Sequence, residues 1–195
     1  SENTAKRVLG VELGINISPL LQRLISPATP FNSLGQEIVM LNFRVSEGVY
    51  WRNGFNSTIQ KSTDLQENEF TSSFSQTFIR TGFEWRKPLS EKLELHYGVD
   101  FILDRFVSKF DFDGGPDNSS TTDRTSNGLG LGVPFGLTYW VNDRTGIWVE
   151  SSLIGTRSKM TDISTFDGQE VANQESTFMN FRIKLPVSIF VKMAF

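Results

Sequence analysis

The stretch Met179-Asn180-Phe181-Arg182-Ile183-Lys184-Leu185-Pro186-Val187-Ser188-Ile189-Phe190-Val191-Lys192-Met193-Ala194-Phe195 decides the fold. Every odd position in it is apolar, whereas Asn180, Arg182, Lys184, Ser188 and Lys192 share the even face. Successive side chains of a β-strand point to opposite faces, so a period of two over this length predicts one long strand with an apolar wall. The same period recurs at 93–107, where Leu93, Leu95, Tyr97, Val99, Phe101, Leu103 and Val107 oppose Glu94, His96, Asp100 and Asp104 and only Arg105 breaks the apolar row. At 129–141, Leu129, Leu131, Val133, Phe135, Leu137, Tyr139 and Val141 oppose glycines and Thr138, and at 9–17 Leu9, Val11, Leu13, Ile15 and Ile17 oppose Gly10, Glu12, Gly14 and Asn16. Weaker alternation covers 36–46, 49–60, 70–86 and 147–160, which makes eight predicted strands. In 70–86, Phe70, Phe74 and Phe78 are out of phase with Phe83 and Trp85, and a bulge or strand end is expected there.

The intervening segments alternate in length. Short turns are expected around 46–48, 87–91 and 142–146, and longer polar loops at 18–35, 61–69, 111–126 and 161–173. Short connections on one rim and long ones on the other are the layout of an up-and-down antiparallel transmembrane barrel, with periplasmic turns and extracellular loops. Trp51, Trp85, Trp140 and Trp148 all lie near predicted short turns, hence at one rim. By parity Trp51, Trp85 and Tyr139 point outward, as an interfacial aromatic girdle would, and Trp140 and Trp148 point inward as a floor.

Bulk composition is consistent with this and excludes several alternatives. The 195 residues are 38% hydrophobic and 21% charged, with a mean hydropathy of −0.23. No run approaches the roughly 20 apolar residues of a helical membrane span; the greasiest stretch, Leu129 to Leu137, is interrupted by Gly130, Gly132, Pro134 and Gly136. Phenylalanine is abundant, 17 residues against 4 Trp and 3 Tyr, and alternation conceals these rings from the average. A net charge of −3 gives no basic surface for nucleic acid. The absence of cysteine removes disulfides and thiolate zinc sites, and one histidine, His96, leaves little for a metal centre, so no cofactor is expected. The chain starts at Ser1, which fits removal of a signal peptide. One domain over 1–195 is expected.

The segment 185–195 resembles the C-terminal recognition strand of Gram-negative outer-membrane proteins, which end in an aromatic residue preceded by apolar residues at alternate positions, as Val187, Ile189, Val191, Met193 and Phe195 do. The chain as a whole resembles, in pattern, the small eight-stranded barrels of the OmpA/OmpX type. The resemblance implies a bacterial outer-membrane location and reading of that last strand by the barrel-assembly machinery.

Alternation alone does not say which face is outside, because a soluble lipocalin-like barrel has the same two faces turned the other way. If the apolar rows face outward, the lumen receives Arg44, Arg52, Arg80, Arg86, Arg182, Lys184 and Lys192 against Glu12, Glu84, Glu94, Asp100, Asp104 and Glu150, with His96 among them. Eight strands enclose just enough space for side chains, so charges there must pair. This near balance predicts a closed, salt-bridged interior and counts against a narrow pore.

Four further features invite a functional reading. His96 could serve a lipid-modifying enzyme, but it follows a short turn, far from the long loops, and reads as a structural histidine. The loop Asp111-Phe112-Asp113-Gly114-Gly115-Pro116-Asp117-Asn118 has calcium-like D-x-D-G spacing, spoiled by Pro116 and a missing distal Glu, and reads as a solvated loop. Arg105, Lys109, Arg157 and Lys159 have outward parity near the long-loop ends, the height of the phosphates of lipopolysaccharide and other outer-membrane lipids. In the first long loop, Leu20, Leu21, Leu24 and Ile25 have helical spacing between Pro19 and Pro27 and require burial on the barrel mouth or on a partner protein. The expected role is therefore non-enzymatic: a structural or accessory subunit holding other outer-membrane proteins in a larger complex.

Overall fold

The computed structural model describes residues 10–18, 21, 39–64, 69–114 and 118–195, with the side chains at 64, 69, 182 and 184–187 left out. Eight strands follow one another: β1 (Val11–Asn16), β2 (Val39–Ser46), β3 (Val49–Asp64), β4 (Glu69–Pro88), β5 (Leu93–Asp113), β6 (Ser119–Trp140), β7 (Thr145–Phe166) and β8 (Gln169–Ala194). Each pairs antiparallel with its neighbour in sequence, and β1 closes the ring against β8 through Glu12↔Ala194 to Asn16↔Phe190. The molecule is thus an all-β antiparallel sheet closed into a ring of eight strands.

The two faces of the wall differ as parity demands. Odd residues point out: Leu131 is 61% exposed and Phe181 73%, and Trp51, Trp85 and Tyr139 are exposed as well. Even residues point in, where Arg52, Glu84, His96 and Lys192 are completely buried. This is the reverse of a lipocalin-type barrel, whose apolar face lines a ligand cavity.

Two expectations need correction. The segments 61–69, 111–126 and 161–173 are not long loops; strand pairing continues through most of them, and the connections shrink to 65–68, 114–118 and 167–168. Residues such as Ser119, Ser120, Thr121, Thr122 and Thr125 suit a strand because Thr is β-branched, but both faces there meet water, so the apolar alternation that marks a strand is missing. The bulge expected in 70–86 is also absent, for β4 keeps an unbroken register with β3 and β5. Phe70, Phe74 and Phe78 are out of phase because they take the inward face, where Phe70 and Phe74 meet Phe110 and Phe106 across the strand pair. The irregularities lie elsewhere, at Arg44/Ser46, Glu150/Ser152 and Ser164/Thr165. Between Glu150↔Ser188 and Ser152↔Lys184, β8 advances four residues against two of β7. An even excess leaves the phase intact, which is why Met179 and Phe195 share one face across it, and Pro186, which lacks an N–H, falls in the interruption.

The β7–β8 connection is a two-residue turn with φ of 48° at Asp167 and 77° at Gly168, the type I′ geometry favoured by Asp-Gly. Gly168→Ala is expected to cost about 1–2 kcal/mol, because an L-residue resists the left-handed conformation. Faster amide exchange confined to 163–172, with the rest of the barrel unchanged, is the signature to look for.

Of the first long segment only Ile17, Ser18 and Leu21 are described. Leu21 N–H donates to the Ile17 carbonyl at 3.1 Å, the i to i−4 spacing of a helical turn, and Leu21 is half-buried. Leu20, Leu24 and Ile25 lie outside the described residues.

Candidate functional site

The inward face is crowded because a ring of eight strands is narrow, and small residues make the space. Along one register row Arg52, Gly82, Asp100 and Gly132 alternate across β3 to β6, and along another Gly54 and Gly130 flank the pair Arg80 and Ile102. Each long side chain projects over a neighbouring glycine. A Cβ at Gly82 would fall 2.6 Å from Asp100 Oδ1, and one at Gly136 would fall 2.7 Å from His96 Cε1.

Within that space the structure brings together Glu12, Arg52, Arg80, Glu84, Arg86, His96, Asp100, Glu150 and Lys192. Arg86 forms a fork on Glu12 at 2.6 and 2.7 Å, and its Nε donates to Glu84 at 2.6 Å. Arg52 donates to Glu84 at 3.0 Å and to Glu150 at 2.8 Å, with Asp100 3.3 Å from its Nε. Arg80 reaches Glu150 at 2.6 Å and Asp100 at 3.4 Å, and Lys192 Nζ lies 3.0 Å from Glu12. Among the described residues, four cations (Arg52, Arg80, Arg86, Lys192) thus meet four acids (Glu12, Glu84, Asp100, Glu150). The pairing is what permits burial, since an isolated charge there would cost several kcal/mol.

Aromatic rings complete the layer. The Arg86 guanidinium lies 3.5 Å over the Tyr50 ring, and Trp148 has Lys192 at 4.6 Å, Arg52 at 5.3 Å, Phe190 stacked at 4.8 Å and the His96 ring edge-on at 5.2 Å. On the side away from the short turns, buried Phe78, Ile102 and Ile154 form an apolar layer above the charged one. Tyr50, Met40, Phe190 and this apolar layer were not anticipated from sequence. Their only signal is an apolar residue on the phase otherwise given to polar ones, as Phe78 has.

The other residues singled out by sequence are distributed as follows. Arg44 is half-buried near the short-turn rim, its Nε 3.4 Å from the Ser46 carbonyl; Glu94 is half-buried; Asp104 accepts a hydrogen bond from Gln76 at 3.0 Å beyond the apolar layer. The side chains of Arg182, Lys184 and Val187 lie outside the described residues. Ile189, Val191, Met193 and Phe195 occupy the outward phase of β8, where Val191 and Met193 pair with both β7 and β1. Lys109 is 3.0 Å from Asp111 and Lys159 2.9 Å from Glu175, whereas Arg105 and Arg157 project outward in no ion pair among the described residues. In the loop with calcium-like spacing, Asp111 is taken by Lys109 and by Thr121 at 2.9 Å, and residues 115–117 lie outside the described set.

The chemistry open to this lumen is restricted. His96 is fully buried, and among the described residues neither ring nitrogen is hydrogen-bonded to a hydroxyl, so no serine–histidine–acid relay is assembled. Glu84, His96 and Glu150 offer ligand atoms within 4.8 Å of one another. Both carboxylates, however, already bind two guanidinium groups, Glu84 those of Arg52 and Arg86 and Glu150 those of Arg52 and Arg80. A divalent ion would have to displace four charge-assisted bonds beside like charges. The arrangement suits guanidinium, not a metal.

No protein-family model matches the sequence, and no characterised protein matches it by sequence. Two solved structures of Acinetobacter baumannii proteins are similar in shape: CarO2, with 10% identity, a TM-score of 0.41 and coverage of 96% of this chain and 98% of that one, and CarO, with 8% identity, a TM-score of 0.43 and coverage of 96% and 97%.

Proposed function

We propose that the chain is an integral outer-membrane β-barrel without catalytic or conducting activity, serving as a structural or accessory subunit that holds other outer-membrane proteins. The observation that carries the membrane reading is the outward apolar belt wrapped around a lumen closed by paired charges. A soluble protein rarely exposes an apolar patch above a few hundred Å², whereas here Val99, Phe101, Leu131, Phe135, Leu153 and Phe181 are all at least 46% exposed on consecutive strands. Polar side chains within the belt are engaged with one another: the Trp51 indole donates to Thr81 at 2.8 Å, and Thr81 donates to Asn53 at 2.8 Å.

Strand length supports the accessory role. A strand crosses a bilayer in about 9–11 residues, yet β5, β6, β7 and β8 have 21, 22, 22 and 26. Half of each strand extends past the belt, away from the short turns, as paired ribbon offering surface to a partner. On this reading the short connections face the periplasm and the ribbons face outward, and the outward row ending in Phe195 is what the barrel-assembly machinery reads.

Unboiled protein is expected to migrate differently from boiled protein on SDS gels, to require detergent for dispersal, and to show no steady conductance in planar bilayers. Solubility without detergent would overturn the membrane assignment, and a stable single-channel current would overturn the closed lumen. Extraction in mild detergent tests the accessory role separately, since a monomer without companions would remove it.

A further inference from the structure

We infer that the outer surface of β5, β6 and β7 carries a binding site for a phosphate of an anionic lipid headgroup, formed by Arg105, Asn127, Arg157 and Lys159. The inference rests on the membrane reading above and adds a specific ligand chemistry to it.

The outward apolar row is unbroken up to Leu103 on β5, where Arg105 interrupts it before Val107, and up to Leu129 on β6, which faces Leu103. The next outward residues, Arg105, Asn127 and Lys159, form one register row, Arg105↔Asn127 and Asn127↔Lys159, and Arg157 sits one step lower, opposite Leu129. Neighbouring strands are about 4.8 Å apart, so Arg105 and Lys159 flank Asn127 at roughly 5 Å on either side. Long side chains rooted that close reach a single point over the carboxamide. The height is specific: beyond this row the charged outward residues include Asp123 and Glu175, and the cation there, Lys109, is already held by Asp111.

The donors are matched to phosphate. Two guanidinium groups offer forked donors that fit phosphate oxygens in pairs, an amide adds a neutral donor, and Lys159 is paired, among the described residues, with Glu175 in a contact about 60% exposed on both sides. Exposed pairs of that kind contribute little, so a phosphate can take the ammonium. A lipid source follows from position, because Leu103 and Leu129 lie directly below the cations and would receive the acyl chains of the same molecule.

The test uses the full chain folded in neutral detergent, titrated with diphosphorylated lipid A and followed by native mass spectrometry. Each cation near a membrane surface is worth about fivefold in affinity, so R105Q/R157Q is expected to weaken binding roughly 25-fold, while K109Q leaves it unchanged and dephosphorylated lipid A binds the wild type no better than the double variant. Equal binding by R105Q/R157Q, or no effect of removing the phosphates, overturns the inference. Displacement of lipid A by millimolar inorganic phosphate would overturn the lipid source and assign the site to free phosphate. Insertion into phosphatidylcholine vesicles, run in parallel, separates the two readings: a chain that inserts but does not discriminate lipid A defeats this site alone, and one that stays outside defeats the membrane reading itself.

Discussion

Replacing Arg52 with methionine is expected to destabilise the barrel by about 3–5 kcal/mol, the cost of leaving buried charge without its partner. Arg52 is fully buried and touches Glu84, Glu150 and Asp100 together. Its loss leaves Glu84 to Arg86, and Glu150 and Asp100 to Arg80. Among the described residues of this network, four acids would then share three cations. Urea unfolding from phosphatidylcholine vesicles measures the loss, and tryptophan emission is a direct reporter because the Arg52 guanidinium lies 5.3 Å from the Trp148 ring. Adding Glu150→Gln removes one of the stranded charges, so R52M/E150Q should be more stable than R52M alone, and the cycle should give a coupling of the size found for residues in one network. An R52M midpoint equal to that of the parent would mean that the lumen tolerates unpaired acids, and the closed, charge-balanced interior would lose its energetic basis.

This network also marks where sequence reasoning stops. Parity assigns Arg52 and Glu150 to one face, but nothing in spacing joins two residues 98 positions apart; only closure of the ring and the stagger of its strands do. Parity is plain at 93–107 and 129–141 because the two faces there have opposite requirements, charge or glycine inside and apolar residues outside. It fails at Thr121, Thr122 and Thr161, where both faces are polar, and the strands run on where loops were expected. It misleads at Phe78, since an out-of-phase aromatic suggests a bulge until the need for an apolar layer with Ile102 and Ile154 is known. Gly82 and Gly136 are similar cases: a glycine in a strand reads as a weakness, and its purpose becomes visible only with Asp100 or His96 lying against it.

The orientation of the wall in a bilayer leads to the second large effect. Val133, near the middle of the outward apolar run of β6 and 48% exposed, is on the face opposite the lumen. Val133→Arg is therefore expected to leave the lumen network untouched, yet to cost about 2–4 kcal/mol of stability in lipid vesicles, the penalty for a cation at mid-depth on a barrel's lipid face. Thr125→Arg has the same parity on the same strand but lies one outward step beyond the Arg105–Asn127–Lys159 row. There the side chain meets headgroups or water, and the expected cost falls to about 0–1 kcal/mol. The contrast between the two carries the argument, because a generic loss of β-propensity or a folding defect would affect both alike. If the outer face instead met water, or were covered by a soluble partner, the gradient along β6 would vanish or reverse, since arginine is better solvated than valine. Equal stabilities of the two variants in vesicles would thus turn the barrel's exposed belt from a lipid surface into a protein interface.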